Sequence, residues 1–366
     1  MEDVSVATSG SQSTANLFTG SPLTGIVVGT SENDIFSGLI EANNSAIIDA
    51  TITGAGGYDV VHASGAAFGR VITSSTFDFS SSFLKFDAET TGGYYSRAIY
   101  QSLIKTGNSG SELNFSSIEG ETDTFDWYTA AFNNSTLEGG SGDDIFLISV
   151  INEGEDAYGI IGSELNFGNG NNSASISIDA SIVSSIAIRE STLSWGIGSD
   201  SLTVSSNQKG ISSSSLDTGS GNDVIEISSS LHSINESTIK TGDGADKIAL
   251  AKTADFNFNI FNSMIELGAG DDEISLHNAR DSTIDGGEGD DILILSAESR
   301  DYAIDDIGNG NYLLVSGSLD VSTFIVRDVE RIRFSDKTIE LATTLPVINP
   351  AFDIALTSTS GNVATF

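Results

Sequence analysis

The sequence predicts an all-β protein, a parallel β-helix or β-roll solenoid with a small β-rich C-terminal cap, and three observations predict it. First, one fourteen-residue frame, Ser-x-(Leu/Ile)-x-x-Gly-x-Gly-x-(Asp/Asn)-x-apolar-x-apolar, recurs without gaps from Ser135, Ser163, Ser191, Ser214, Ser237, Ser263 and Ser282. Its starts are 28, 28, 23, 23, 26 and 19 residues apart, so the frame is fixed and the chain opposite it varies. Repeats of this kind build stacked folds in which each coil touches its neighbours only. Second, apolar residues fall at every second position on both sides of the glycine turn, which is strand rhythm and not helix rhythm. Third, the three prolines, Pro22, Pro346 and Pro350, leave the span between them free of ladder breakers.

Each frame reads as two short strands joined by a turn in which glycine permits positive φ and close stacking. Stacking aligns three columns. Leu137, Leu165, Leu193, Leu216, Ile239, Ile265 and Ile284 form one, and Phe146, Ala174, Leu202, Ile225, Ile248, Ile274 and Leu293 another. Between them runs a polar column, Asp144, Asn172, Asp200, Asp223, Asp246, Asp272 and Asp291. At the inter-strand spacing, two carboxylates repel by roughly 3.5 kcal/mol at an effective dielectric of about 20. A calcium ion, which prefers oxygen ligands, relieves that repulsion by taking a carboxylate from each of two coils and carbonyls from their turns. An isolated Gly-Asp pair needs no such ion, because Asp and Asn favour tight turns for their own backbone hydrogen bonds. Seven registered copies favour calcium, with the neighbours Asp143, Asn222, Asp271 and Asp290 adding to the field.

The segments GGSGDDIFL from Gly139 and GGEGDDILI from Gly286 resemble the glycine-rich nonapeptide of RTX, or hemolysin-type calcium-binding, proteins. The resemblance weakens where the first glycine becomes Phe167, Trp195, Thr218, Thr241 or Leu267, and the long 19 to 28-residue coils are atypical. It implies a β-roll with Ca2+ on one side only, and export by type I secretion without a cleaved N-terminal signal, hence an extracellular or bacterial cell-surface location. The segment SRDYAIDDIGNGNYLLVSG, with FIVRDVERIRFSDKTIEL after it, resembles the stretch that commonly trails RTX arrays.

Composition sets limits on partners. Fifteen Lys and Arg stand against 51 Asp and Glu, a formal net charge of -36, which argues against nucleic acid or an anionic membrane surface. No transmembrane run interrupts the chain, and without cysteine neither disulfides nor thiolate metal sites are available.

Along the chain, residues 1–24 read as a polar lead-in or cap and 25–295 as one calcium-binding solenoid. Its first two coils are GIVVGTSENDIFSG, with Asp34, and ATITGAGGYDVV, with Asp59. A worn copy starts at Ser75 through Phe77 and Phe86, and another at Ser102 has Ser111 in place of the acid, making eleven coils. Residues 84–134 gather Phe86, Tyr94, Tyr95, Tyr100, Phe125, Trp127, Tyr128 and Phe132. These either fill the core of wider coils or, in a loop holding Asp126, Trp127 and Tyr128, bind a partner. Residues 296–341 predict a hairpin about Asn309-Gly310 and two further strands as a cap. Residues 342–366 form a tail or a secretion signal.

The histidines, His62, His232 and His277, are scattered and fit no hydrolase or zinc motif. Two function classes follow: a secreted, calcium-stabilised surface-layer, matrix, filament or adhesin protein that associates with itself or a cell surface, and a polysaccharide-active or polysaccharide-binding β-helix of lyase or epimerase type. The first is favoured, and with it the expectation of no catalysis.

Overall fold

In the computed structural model, the described residues are 5–7, 16–20, 22–39, 45–66, 70–91, 96–118, 128–152, 156–180, 184–252, 258–316 and 322–341. They form a parallel β-solenoid. Each frame supplies a three- to seven-residue strand before its glycine turn, such as Thr136–Glu138 or Ser282–Glu288, and a second strand after it, such as Asp144–Asn152 or Ile292–Leu295. Pairing follows the sequence frame. Leu137 stands beside Leu165, then Leu193, Leu216, Ile239, Ile265 and Ile284, while Phe146 stands beside Ala174, Leu202, Ile225, Ile248, Ile274 and Leu293. Both columns are buried, so apolar burial repeats coil by coil along the axis. The Ser75 coil is also in register, with Phe77 beside Ile104 and Phe86 beside Leu113.

A third strand completes each coil, at Arg70–Thr73, Arg97–Tyr100, Thr129–Asn133, Ala157–Ile161, Ser185–Arg189 and onward. It ends in a corner residue with left-handed φ: Asn134 at 46°, Gly162 at 59°, Glu190 at 49°, Ser213 at 52° and Glu236 at 50°. For a non-glycine residue that conformation costs roughly 1–2 kcal/mol. The serine that opens each frame offsets it. Ser214 Oγ donates to the Ser212 carbonyl at 2.8 Å and accepts the Ser191 N–H at 3.2 Å, and the same pair of bonds recurs from Ser75 to Ser282.

The solenoid extends beyond the limits expected from the frame. Asn16–Gly20, inside the expected lead-in, pairs in parallel with Asp34–Leu39, and Phe18 stacks on Phe36 at 4.9 Å. Ser5–Ala7 crosses it antiparallel and covers that sheet edge. At the other end, Thr323–Arg327 and Arg331–Arg333 add one more parallel coil onto Ser282–Glu288 and Ile292–Leu295. The hairpin Tyr302–Gly308 with Asn311–Ser316, and the strand Thr338–Glu340, then close both sheets in antiparallel fashion. No helix among the described residues is long and apolar enough to cross a membrane.

Candidate metal centre: the aspartate column

The frame aspartates line the inside of the glycine turn, where Asp34, Asp59, Asp144, Asn172, Asp200, Asp223, Asp246, Asp272 and Asp291 are at most 2% exposed. Glycine puts them there. Gly198, Gly221, Gly244 and Gly270 have φ of 156°, 142°, 151° and 138°, and a Cβ on Gly221 or Gly244 would run into the carbonyl oxygen of the glycine one coil below. Turn carbonyls therefore point along the rod toward the next turn.

The column is hydrogen-bonded along its length. Each backbone N–H donates to the side-chain oxygen of the following coil: Asp144 to Asn172 at 3.0 Å, Asn172 to Asp200 at 2.7 Å, Asp200 to Asp223 at 2.8 Å, Asp223 to Asp246 at 2.7 Å, Asp246 to Asp272 at 2.7 Å and Asp272 to Asp291 at 2.8 Å. Asp34 donates likewise to Asp59 at 3.0 Å. On the exposed side of the same turn a second ladder runs the other way. Asp143 accepts from Asn171 at 2.7 Å, Asn222 from Ala245 at 2.9 Å and Asp271 from Asp290 at 3.0 Å. Sequence reasoning placed these residues as ion ligands and missed that both columns also staple coil to coil.

What remains unused is one oxygen on six of the column's aspartates. The Oδ2 atoms of Asp59, Asp200, Asp223, Asp246, Asp272 and Asp291 are buried without a hydrogen-bond partner, an arrangement that costs about 1–3 kcal/mol per group or more when the group is charged. Burial, the largest cause, pushes the carboxyls up from the usual carboxylate range, to about 6 at Asp200 and Asp246 and to about 7 at Asp291. Asp59, Asp223 and Asp272 are raised for the same reason.

The column is not uniform. Asp34 uses both oxygens, accepting from Asn16 Nδ2 at 2.9 Å and the Thr30 N–H at 2.6 Å. Asp144 does the same with Ser111 Oγ at 2.6 Å and Thr106 Oγ1 at 3.3 Å, and Asn172 turns its amide onto the Gly170 carbonyl at 3.1 Å. Leu84 and Ser111 interrupt the acids, since Asp59 pairs with Leu84, Leu84 with Ser111 and Ser111 with Asp144. The unbroken run of orphaned carboxylate oxygens is thus Asp200 to Asp291.

That run offers the carboxylate oxygens that a hard cation takes as ligands. Asp200, Asp223, Asp246, Asp272 and Asp291 are the residues that would hold calcium, which would neutralise their stacked charge. Among the described residues no three acidic or histidine side chains gather in one place, so each ion would hold two carboxylates at most.

Outside the column, His232 is half-buried, with Nδ1 2.8 Å from the Phe258 carbonyl and its ring stacked on Phe261, so it packs the coil. Phe86 and Phe132 fill the core. Tyr128 lies half-buried at the surface, while Asp126 and Trp127, like Tyr94, Tyr95, Phe125 and residues 342–366, fall outside the described residues.

Compared with known proteins, the chain matches no family model and no curated protein.

Proposed function

We propose that this chain is a calcium-binding structural solenoid of RTX-like type, exported by type I secretion and used outside the cell as a surface-layer, matrix, filament or adhesin component. The observation that carries the reading is the run of buried, partnerless Oδ2 atoms from Asp200 to Asp291. A ladder built only for stapling needs one side-chain oxygen per coil, and asparagine supplies it, as Asn172 does. Aspartate adds a second oxygen and a charge, which serve a bound cation. Export follows from the RTX resemblance and from linkage: ions that bind the stacked turns and not the separated ones keep the chain loose where free calcium is scarce and fold it where calcium is plentiful. With a net charge of -36, calcium also joins acidic faces of neighbouring copies.

The test is a calorimetric calcium titration at neutral pH with circular dichroism on the same samples and magnesium as control. Calcium should raise the melting temperature and bind in multiple copies. Full β structure in chelator, with no shift on adding calcium, would sink the reading. Light scattering over the same titration then reports whether copies associate.

A further inference from the structure

One face of the rod carries a pattern that is its own complement. The sheet formed by the strands after the glycine turns stacks Phe83–Thr91, Ser111–Ile118, Asp144–Asn152 and Ser173–Ala180, then Ser201–Ser206, Val224–Ser229, Lys247–Lys252 and Glu273–Leu276, in that order. Their outward side chains fall into columns. The column nearest the turns reads Lys85, Glu112, Ile145 and Ser173 over the first four strands, and Ser201, Val224, Lys247 and Glu273 over the next four. Within one copy Lys85 pairs with Glu112 at 2.9 Å and Lys247 with Glu273 at 3.2 Å, and these side chains keep 32% to 50% of their surface in solvent. Ile145 and Leu147, on one strand of the same face, are 44% and 39% exposed.

A half-turn about an axis parallel to the strands, passing between those of Ser173 and Ser201, lays the face of a second copy on this one with the two rods antiparallel. Lys85 then faces Glu273, Glu112 faces Lys247, Ile145 faces Val224 and Ser173 faces Ser201. The match runs one step further at both ends, where Val60 faces Ile292. Every charge of the column meets its opposite, and every apolar side chain meets another. In the adjacent outward column Ser175 faces Thr203, Asn114 faces Ala249 and Asp87 faces the Ser275 hydroxyl, while Leu147 faces Glu226, whose methylene stem covers it.

We propose that this face joins two copies of the chain as an antiparallel dimer. Eight strands at about 4.8 Å, each with six residues at about 3.3 Å, give a contact of roughly 34 by 20 Å, or about 700 Å² on each copy. A stable complex buries roughly 800 Å² per partner, so the face is large enough by itself. Each exposed ion pair gains a second pair across the contact, and a network of four alternating charges holds where a lone surface pair contributes little. Two copies with a net charge of -36 repel each other, but salt confines that repulsion to about 8 Å, and within that range the complementary columns decide how the rods meet. The dimer supplies a contact between copies for the structural role proposed above and rests on that reading only for its use. It takes no ligand from the aspartate column and needs no bridging ion.

Sedimentation of the full chain over a concentration series, in saline at fixed calcium, reads the association. Wild type should form dimers. Ile145→Glu, at an exposed position, should leave the circular dichroism unchanged and weaken the dimer about tenfold. Ser215→Glu, the same added charge on the outward side of the other sheet, should associate as wild type. Crosslinking then reads the register, since the chain has no cysteine of its own. Ser149→Cys and Ser228→Cys chains should join through a short bismaleimide when mixed and not when alone. Ser149 faces Ser228 in the dimer, whereas like positions stand three coil steps, roughly 14 Å, apart along the rod. Folded wild type that stays monomeric overturns the proposal, as do dimers that survive Ile145→Glu or that crosslink as readily within one variant as between the two. Association lost in chelator while the chain stays folded assigns the contact to calcium bridging and overturns it too. A chain that folds and dimerises without binding calcium sinks the ion reading and leaves the dimer standing.

Discussion

The backbone N–H of Asp291 donates to Glu330 Oε2 at 2.7 Å across 39 residues of sequence. The aspartate column, having run out of frames, thus ends on a carboxylate supplied by the capping segment. Glu330 precedes Arg331–Arg333, the strand that pairs with Ile292–Leu295, and Arg331 in turn reaches Asp290 at 3.0 Å. The cap continues the logic of the coils and then stops it with antiparallel strands.

Glu330→Ala should therefore loosen the last coil first. Leaving the Asp291 N–H without its acceptor costs about 1–3 kcal/mol, and hydrogen exchange should rise over 292–341 before it rises in the centre of the rod. Uniform destabilisation across all coils would contradict the end-capping role.

Asp223→Asn and Asp223→Ala separate the ladder from the ion. Asparagine keeps an oxygen for the Asp200 N–H and can turn its amide to the Gly221 carbonyl, as Asn172 does to Gly170. In chelator at neutral pH the asparagine variant should melt at or above wild type, and the alanine variant lower by an amount matching about 1–3 kcal/mol. In calcium both should bind fewer ions than wild type. Ser111→Ala, which removes a donor to Asp144 and no carboxylate, should leave the ion count as it is.

The metal-free rod should be more stable in mild acid than at neutral pH. Burial raises Asp200 and Asp246 to about 6 and Asp291 to about 7, whereas an unfolded aspartate titrates near 3.9. The folded chain therefore holds protons more tightly. That stabilisation is complete below about pH 4 and is lost as pH rises through about 6 to 7. Melting temperatures in chelator should fall across this window, and added calcium should restore them at its upper end. A melting temperature that climbs over the same interval would refute the orphaned-oxygen account.

Gly221→Ala should prevent the turns from closing at all. The position has φ 142° and its Cβ would strike the Gly198 carbonyl oxygen. Loss of soluble folded protein is expected, whereas Ser220→Ala, on the partly exposed side of the same turn, should fold normally.

Much of the architecture is set by the sequence alone, because a solenoid repeats one local solution. The frame carries the two strands, the turn, the inward columns and the register of every coil from Gly25 to Leu295, including the worn copy at Ser75. Period two and fixed glycines are local constraints, so one coil's pattern suffices. The third strand is also written there, as the inward residue three positions before each serine, Phe132, Ile160, Ile188, Ile211, Ile234 and Ile260, but its signal is only a few residues long and lies beside chain of variable length.

Tertiary structure alone decided where the polar side chains spend their hydrogen bonds. That the frame serine and aspartate each serve the neighbouring coil, that Asp144 is satisfied by Ser111 while Asp223 keeps an unpartnered oxygen, and that Arg70, Tyr100, Arg97 and Tyr128 meet in one row all depend on which residues lie one coil away. That distance in sequence ranges from 18 residues, between Asn16 and Asp34, to 42, between Ser282 and Phe324. Burial against the same coil can be read from alternation, but a partner one coil away becomes visible only when the turns are stacked.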